Sequence, residues 1–179
     1  MYKERRRRQA LNRYSILRWL AYGLELFILF ILQETPGLSI SILGDQAFLL
    51  LPAALSIALF ETNLPAMSFG IVAGVLADFG MGHGPGFHAI LLAVLCFFLS
   101  ELATNLIRTN FLTGLLTGIL GCAAILFLQW FVFCLMAGSE FPGYILTHHY
   151  LPRLLCTVIP VPILYYFNRA LGLFIREKE

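Results

Sequence analysis

Three acids stand where a bilayer would resist them: Glu25, Asp78 and Glu101 each lie inside an apolar stretch. An ionised side chain in a membrane helix costs about 2.5–3.5 kcal/mol on insertion scales, so each is a functional candidate by default. Glu25 and Glu101 each have an arginine seven residues away, Arg18 and Arg108, which at about 3.6 residues per turn shares their helical face. Thr104 and Asn105 extend the Glu101 stripe. The chemistry this pattern offers is charge sharing between two packed helices, the first and the fourth. The alternative is a Glu25 that snorkels to the interface or carries a proton. Asp78 falls at the opposite end of its helix from Glu101, so the two are not expected to pair. It ends the series Gly70-x-x-x-Gly74-x-x-x-Asp78, and it either caps the glycine-rich loop 80–86 or reaches a neighbouring helix.

Other reactive residue types yield little. His83 and His88 flank the glycine loop and His148-His149 sit in a later loop, but their spacings match no familiar metal site. They read as interfacial polar residues. The four cysteines (Cys96, Cys122, Cys134, Cys156) lie in apolar stretches and read as small apolar side chains. There is no Gly-x-Ser-x-Gly, His-Glu-x-x-His or Gly-Lys-Ser/Thr motif. The lysines are confined to positions 3 and 178. No catalytic residue, cofactor, metal or nucleic-acid partner is therefore expected.

The elements that must hold the acids follow from composition. The 179 residues are 59% hydrophobic and 12% charged, with a mean hydropathy of +0.83. A soluble domain carries about 25% charged residues, and half of that cannot cover a water-soluble globule of this size. The expectation is an all-α integral membrane protein of about six transmembrane helices, in the segments 16–33, 46–60, 64–79, 87–107, 112–137 and 151–174. A basic tail, 1–15, precedes the membrane domain 16–174, and a short tail, 175–179, follows it. The second and third segments hold 15 and 16 residues by this division, short of the roughly 20 that cross a bilayer. They either cross a thinned region or form a re-entrant hairpin.

Seven of the twelve basic residues precede position 19. With the N-terminus cytoplasmic, eleven of the twelve fall inside and only Arg153 outside, as the positive-inside rule requires. Both termini are thus expected in the cytoplasm. The run Lys3 to Arg8 is a topology determinant, with anionic lipid headgroups or a cytoplasmic filament as further contacts. Two small-residue stripes, Gly70/Gly74 and Gly114/Gly118 with Gly121 nearby, allow close helix approach, either within the bundle or to a partner.

Pro52 in the second segment, the run 68–78 (Ser-Phe-Gly-Ile-Val-Ala-Gly-Val-Leu-Ala-Asp), the glycine-rich loop after it and Arg108-Thr109-Asn110 resemble the MreD family of bacterial rod shape-determining proteins. That resemblance implies a non-enzymatic role in the cell-elongation complex of the bacterial cytoplasmic membrane. It implies binding to the scaffold MreC, and through it to MreB and the cell-wall synthases. It also implies a fold similar to the substrate-binding subunit of energy-coupling-factor vitamin transporters, with Gly70, Gly74 and Asp78 matching the family's recurring region. That fold supplies the alternative reading, a vitamin-transporter subunit. Such a subunit would present an Ala-x-x-x-Ala pattern on its first helix. Here Ala21 is followed four residues on by Glu25.

Overall fold

The computed structural model describes residues 2–35, 37, 41–42, 45–81, 86–105, 111–136, 138 and 141–176. Helix α1 (Tyr2–Glu34) leads to two paired two-residue strands, β1 (Ser41–Ile42) and β2 (Asp45–Gln46). Helices α2 (Leu50–Phe60), α3 (Asn63–Met81), α4 (Phe87–Asn105) and α5 (Phe111–Trp130) follow, and α5 runs on as a π-helical turn, Phe131–Met136. The last span is assembled from α6 (Pro142–Ile145), a π-helical turn (Leu146–Tyr150), α7 (Leu151–Val158) and α8 (Val161–Arg176). Residues 2–15, read from sequence as a tail, continue the helix that carries the first span.

Among the described residues, five stretches are long and apolar enough to cross a membrane: Ser15–Glu34, Asn63–Met81, Phe87–Asn105, Phe111–Met136 and Pro142–Gly172. This is a helical membrane protein. The second expected segment, 46–60, is the exception. Helix α2 has 11 residues, about 16 Å at 1.5 Å per residue, against a hydrocarbon core of about 30 Å. Its residues from Leu50 to Leu59 are all buried. A helix apolar on every side belongs inside protein, and α2 packs against α1, α3, α4, α5, α7 and α8. The third segment, by contrast, is a 19-residue helix, because α3 continues through Gly80 and Met81 beyond the last strongly apolar residue.

Side chains from other helices complete the short helix. The Phe48 N–H donates to Thr157 Oγ1 at 3.1 Å and the Leu50 N–H to Gln33 Oε1 at 3.4 Å. The Leu50 amide is one that a helix start leaves without an internal partner, and Phe48 belongs to the connection just before the cap. Irregular backbone at membrane depth is tolerated when protein satisfies it in this way. Pro52 stands in the first turn, where its missing N–H breaks no helical bond. At the other end Arg18 Nε meets Glu61 Oε1 at 2.5 Å, with both side chains buried.

The closest backbone approach lies between α3 and α4. A Cβ placed on Gly70 would stand 2.7 Å from Leu92 O, and one on Gly74 would stand 2.5 Å from both Ala89 N and His88 O. The second stripe packs differently. A Cβ on Gly114 would enter the Tyr165 ring, on Gly118 it would stand 2.9 Å from Val161 Cγ1, and on Gly121 2.7 Å from Leu55 Cδ1.

The four cysteines are buried, so a thiol-reactive dye reports melting without labelling the folded bundle. By this readout Gly74→Ala should cost about 1–3 kcal/mol of overpacking, and Gly74→Leu should yield no folded protein. Gly23, with open space around it, is the control: Gly23→Ala leaves the melting temperature unchanged. Equal melting for the Gly23 and Gly74 variants would refute the close contact.

Candidate functional site

The polar residues gather at the two ends of α2 and beside its middle. At the first end, α3 brings Asp78 to the start of α4. Asp78 Oδ2 accepts from the Gly86 N–H at 2.8 Å and the Ala89 N–H at 3.4 Å, and Oδ1 from the His88 N–H at 3.1 Å. His88 Nδ1 lies 2.7 Å from Oδ1. One carboxylate thus serves several of the amides that α4 leaves open at its N-terminus, where the helix dipole also favours negative charge. The glycines at 70 and 74 permit this by bringing the two helices close enough for a short side chain to reach across.

His88 is wholly buried, not interfacial as the sequence suggested. As the second residue of α4 it faces α3, and Asp78 gives its ring a partner that water would otherwise supply. Phe48 and Phe87 stand edge-on to it at 5.5 and 5.1 Å. Arg153 lies over the Phe48 ring at 5.3 Å and approaches Met81 Sδ at 3.8 Å, and Gln129 Nε2 approaches the same sulfur at 3.6 Å. His148, on the π-helical turn, is exposed and stacks on Tyr144 at 4.2 Å. Among the described residues no group of three His, Cys, Asp or Glu side chains could hold a metal ion.

At the second end the Arg18–Glu61 pair is joined by α4. Ser100 Oγ donates to Glu61 O at 2.6 Å and meets Asn63 Oδ1 at 3.1 Å. Asn63 Nδ2 donates to Glu101 Oε2, and Asn105 Nδ2 to Glu101 Oε1 at 2.5 Å. Glu101 is exposed on a cleft of about 560 Å³ that Pro65, Thr104 and Asn105 also line. Beside the middle of α2, Glu25 Oε1 accepts from Asn168 Nδ2 on α8 at 2.9 Å. Glu25 and Glu101 are thus each bound to an amide of another helix, Asn168 on α8 and Asn63 on α3; the expected charge sharing also involves Arg108, outside the described residues. Arg108 and His83 lie outside the described residues.

Glu61, Asn168, Ser100, Gln33 and Thr157 escaped the sequence reading. Glu61 carried a signal, since the three polar residues 61–63 are too few to leave the bundle and return. Thr157 sits singly in an apolar run, and Gln33, Ser100 and Asn168 each stand beside a charged residue that drew the reading instead.

The lateral surface is apolar and grooved. One groove of about 460 Å³ opens between α5 and the α6–α7 region, with Phe127, Leu146, Tyr150 and Leu154 in its walls. A second, of about 360 Å³, opens between α4 and α5, with Phe98, Leu102, Thr117 and Gly121. Leu120 and Ala124 line both, so the two grooves flank α5 and together make up a trough divided by these residues.

The chain matches no family model, no curated protein and no solved structure.

Hydrogen bonds to a charged group contribute about 1.5–3 kcal/mol each. Asp78→Ala should therefore lower thermal stability sharply and increase hydrogen exchange at the first amides of α4. Asp78→Asn, which keeps an acceptor oxygen, should lose less. Unchanged exchange at residues 86–89 in Asp78→Ala would remove the cap from this account.

Proposed function

We propose that this chain is a non-enzymatic, multi-pass component of the bacterial cell-elongation complex. It lies in the cytoplasmic membrane with both termini in the cytoplasm, binds an MreC-type scaffold, and through it engages MreB and the cell-wall synthases. Support comes from the run 68–78 and its loop, from the basic residues at one end, and from the trough across α5. The trough carries the reading. Helices in lipid associate through van der Waals packing and close approach rather than through hydrophobic transfer. A concavity floored by Gly121 and Ala124 gives a scaffold's membrane helix a larger contact than a flat face would.

A second reading, a vitamin-transporter substrate-binding subunit, draws on Asp78, His88, Gln129 and Arg153, which gather at the end expected to face outward. Co-purification from the native membrane separates the two. Recovery of an MreC-type scaffold supports the first; paired ATPases with a coupling subunit, or a retained small molecule, support the second. Ala124→Phe fills the trough from outside the core. It should reduce scaffold recovery about tenfold, equivalent to about 1.4 kcal/mol, with unchanged melting temperature. Full recovery with Ala124→Phe would mean that the scaffold docks elsewhere.

A further inference from the structure

Glu25 lies in the α1 span and is 7% exposed. Its hydrogen-bonded neighbours are Asn168 on α8 and, through it, Ser56 on α2, both buried; Tyr22, also buried, precedes it by one turn on α1. Asn168 Nδ2 approaches Glu25 Oε1 at 2.9 Å, Ser56 Oγ at 2.9 Å and Leu164 O at 3.0 Å. A primary amide nitrogen has two hydrogens, so its donors are fully committed. Within the acid–amide pair, two buried oxygens then remain without a partner, Glu25 Oε2 and Asn168 Oδ1. As carboxylate and amide carbonyl both are acceptors, and neither can satisfy the other. Leaving such groups unmade in the interior is costly, and an ionised acid at this depth adds its own penalty. Arg18, seven residues earlier on α1, is held by Glu61.

One proton removes all of these difficulties. Placed on Oε2 it neutralises the acid, converts an acceptor into a donor, and gives Asn168 Oδ1 its hydrogen bond. The result is a cyclic acid–amide pair, with Nδ2–H donating to Oε1 and Oε2–H donating to Oδ1. We propose that Glu25 is a proton-binding site of the bundle, held as a neutral acid by Asn168. The proton ties α1 to α8 across the flank of α2. On the elements packed here, the ionisable groups within two turns of the pair are Arg18 and Tyr22 on α1 and Tyr165, Tyr166 and Arg169 on α8; Glu61 follows the end of α2, and Asp78 on α3 is bound at the start of α4.

The site is read directly by infrared spectroscopy of protein reconstituted in lipid vesicles. At neutral pH the difference between wild type and Glu25→Gln should contain the C=O stretch of a protonated carboxyl, shifted in D2O. Glu25→Gln offers the same two hydrogen bonds from a neutral group, so its melting temperature should equal that of wild type, while Glu25→Leu should melt lower or not fold. A difference spectrum with carboxylate bands alone would overturn the proposal. So would stabilisation of wild type, but not Glu25→Gln, by sodium over choline, since that would place a metal cation on an ionised Glu25.

Discussion

Helix α2 is about half as long as the bilayer is thick, and this shortfall organises the bundle. A helix too short to cross hydrocarbon leaves amides and carbonyls at its ends that lipid cannot satisfy. Protein must enclose it, and α1, α3, α4, α5, α7 and α8 all touch it. The enclosure is chemical as well as steric. Thr157 and Gln33 bind the backbone at its start, while Ser100 binds the carbonyl of Glu61 at its end. Each of these side chains is fixed by the need to close α2, so the helices that carry them cannot slide along one another.

The α3–α4 contact is the second rigid part. Small residues are common in membrane helices and alone say little, but here two glycines place one backbone against another and Asp78 locks the register. A shift of one turn, about 5.4 Å, would carry the carboxylate past the α4 amides and drive the glycines' neighbours into Leu92 and Ala89. Register and cap are therefore set together. The glycine-rich connection has little left to specify beyond joining the two ends.

Much of this was legible in sequence because it is local. The Gly70/Gly74/Asp78 stripe follows from four-residue spacing, and the short link between Asp78 and α4 makes a cap natural. The partner of Glu25 was not legible. The arginine spacing that Glu25 shares with Glu101 suggested the fourth helix. But spacing along one helix fixes a face of it and not the helix that meets that face. Asn168, 143 residues away, is chosen by helix order in space, which hydropathy does not encode. The ends of α3 were misjudged for a related reason: helices end where hydrogen bonds end, and Asn63 and Met81 lie within α3 although hydropathy cuts them off. The isolation of α2 was partly visible in its alanine- and leucine-rich sequence without a polar stripe, a pattern that a lipid-facing helix shares.

Exposed apolar residues on α4 and α5, among them Ile90, Val94, Phe98, Leu116 and Leu120, would mark a binding surface on a soluble protein. In a bilayer they mark only contact with lipid, because transfer from lipid to a protein partner brings no hydrophobic gain. What separates one lateral face from another is shape. Lipid chains conform to a convex surface well and to a narrow concavity less well, because each chain confined there loses conformational freedom. A preformed helix has already lost that freedom and fills the concavity with fixed side chains. The trough at Leu120 and Ala124 is thus one part of the lateral surface where a helix has an advantage over lipid. The polar groups at the ends and beside α2 are bound to one another and hold the walls of that trough in place.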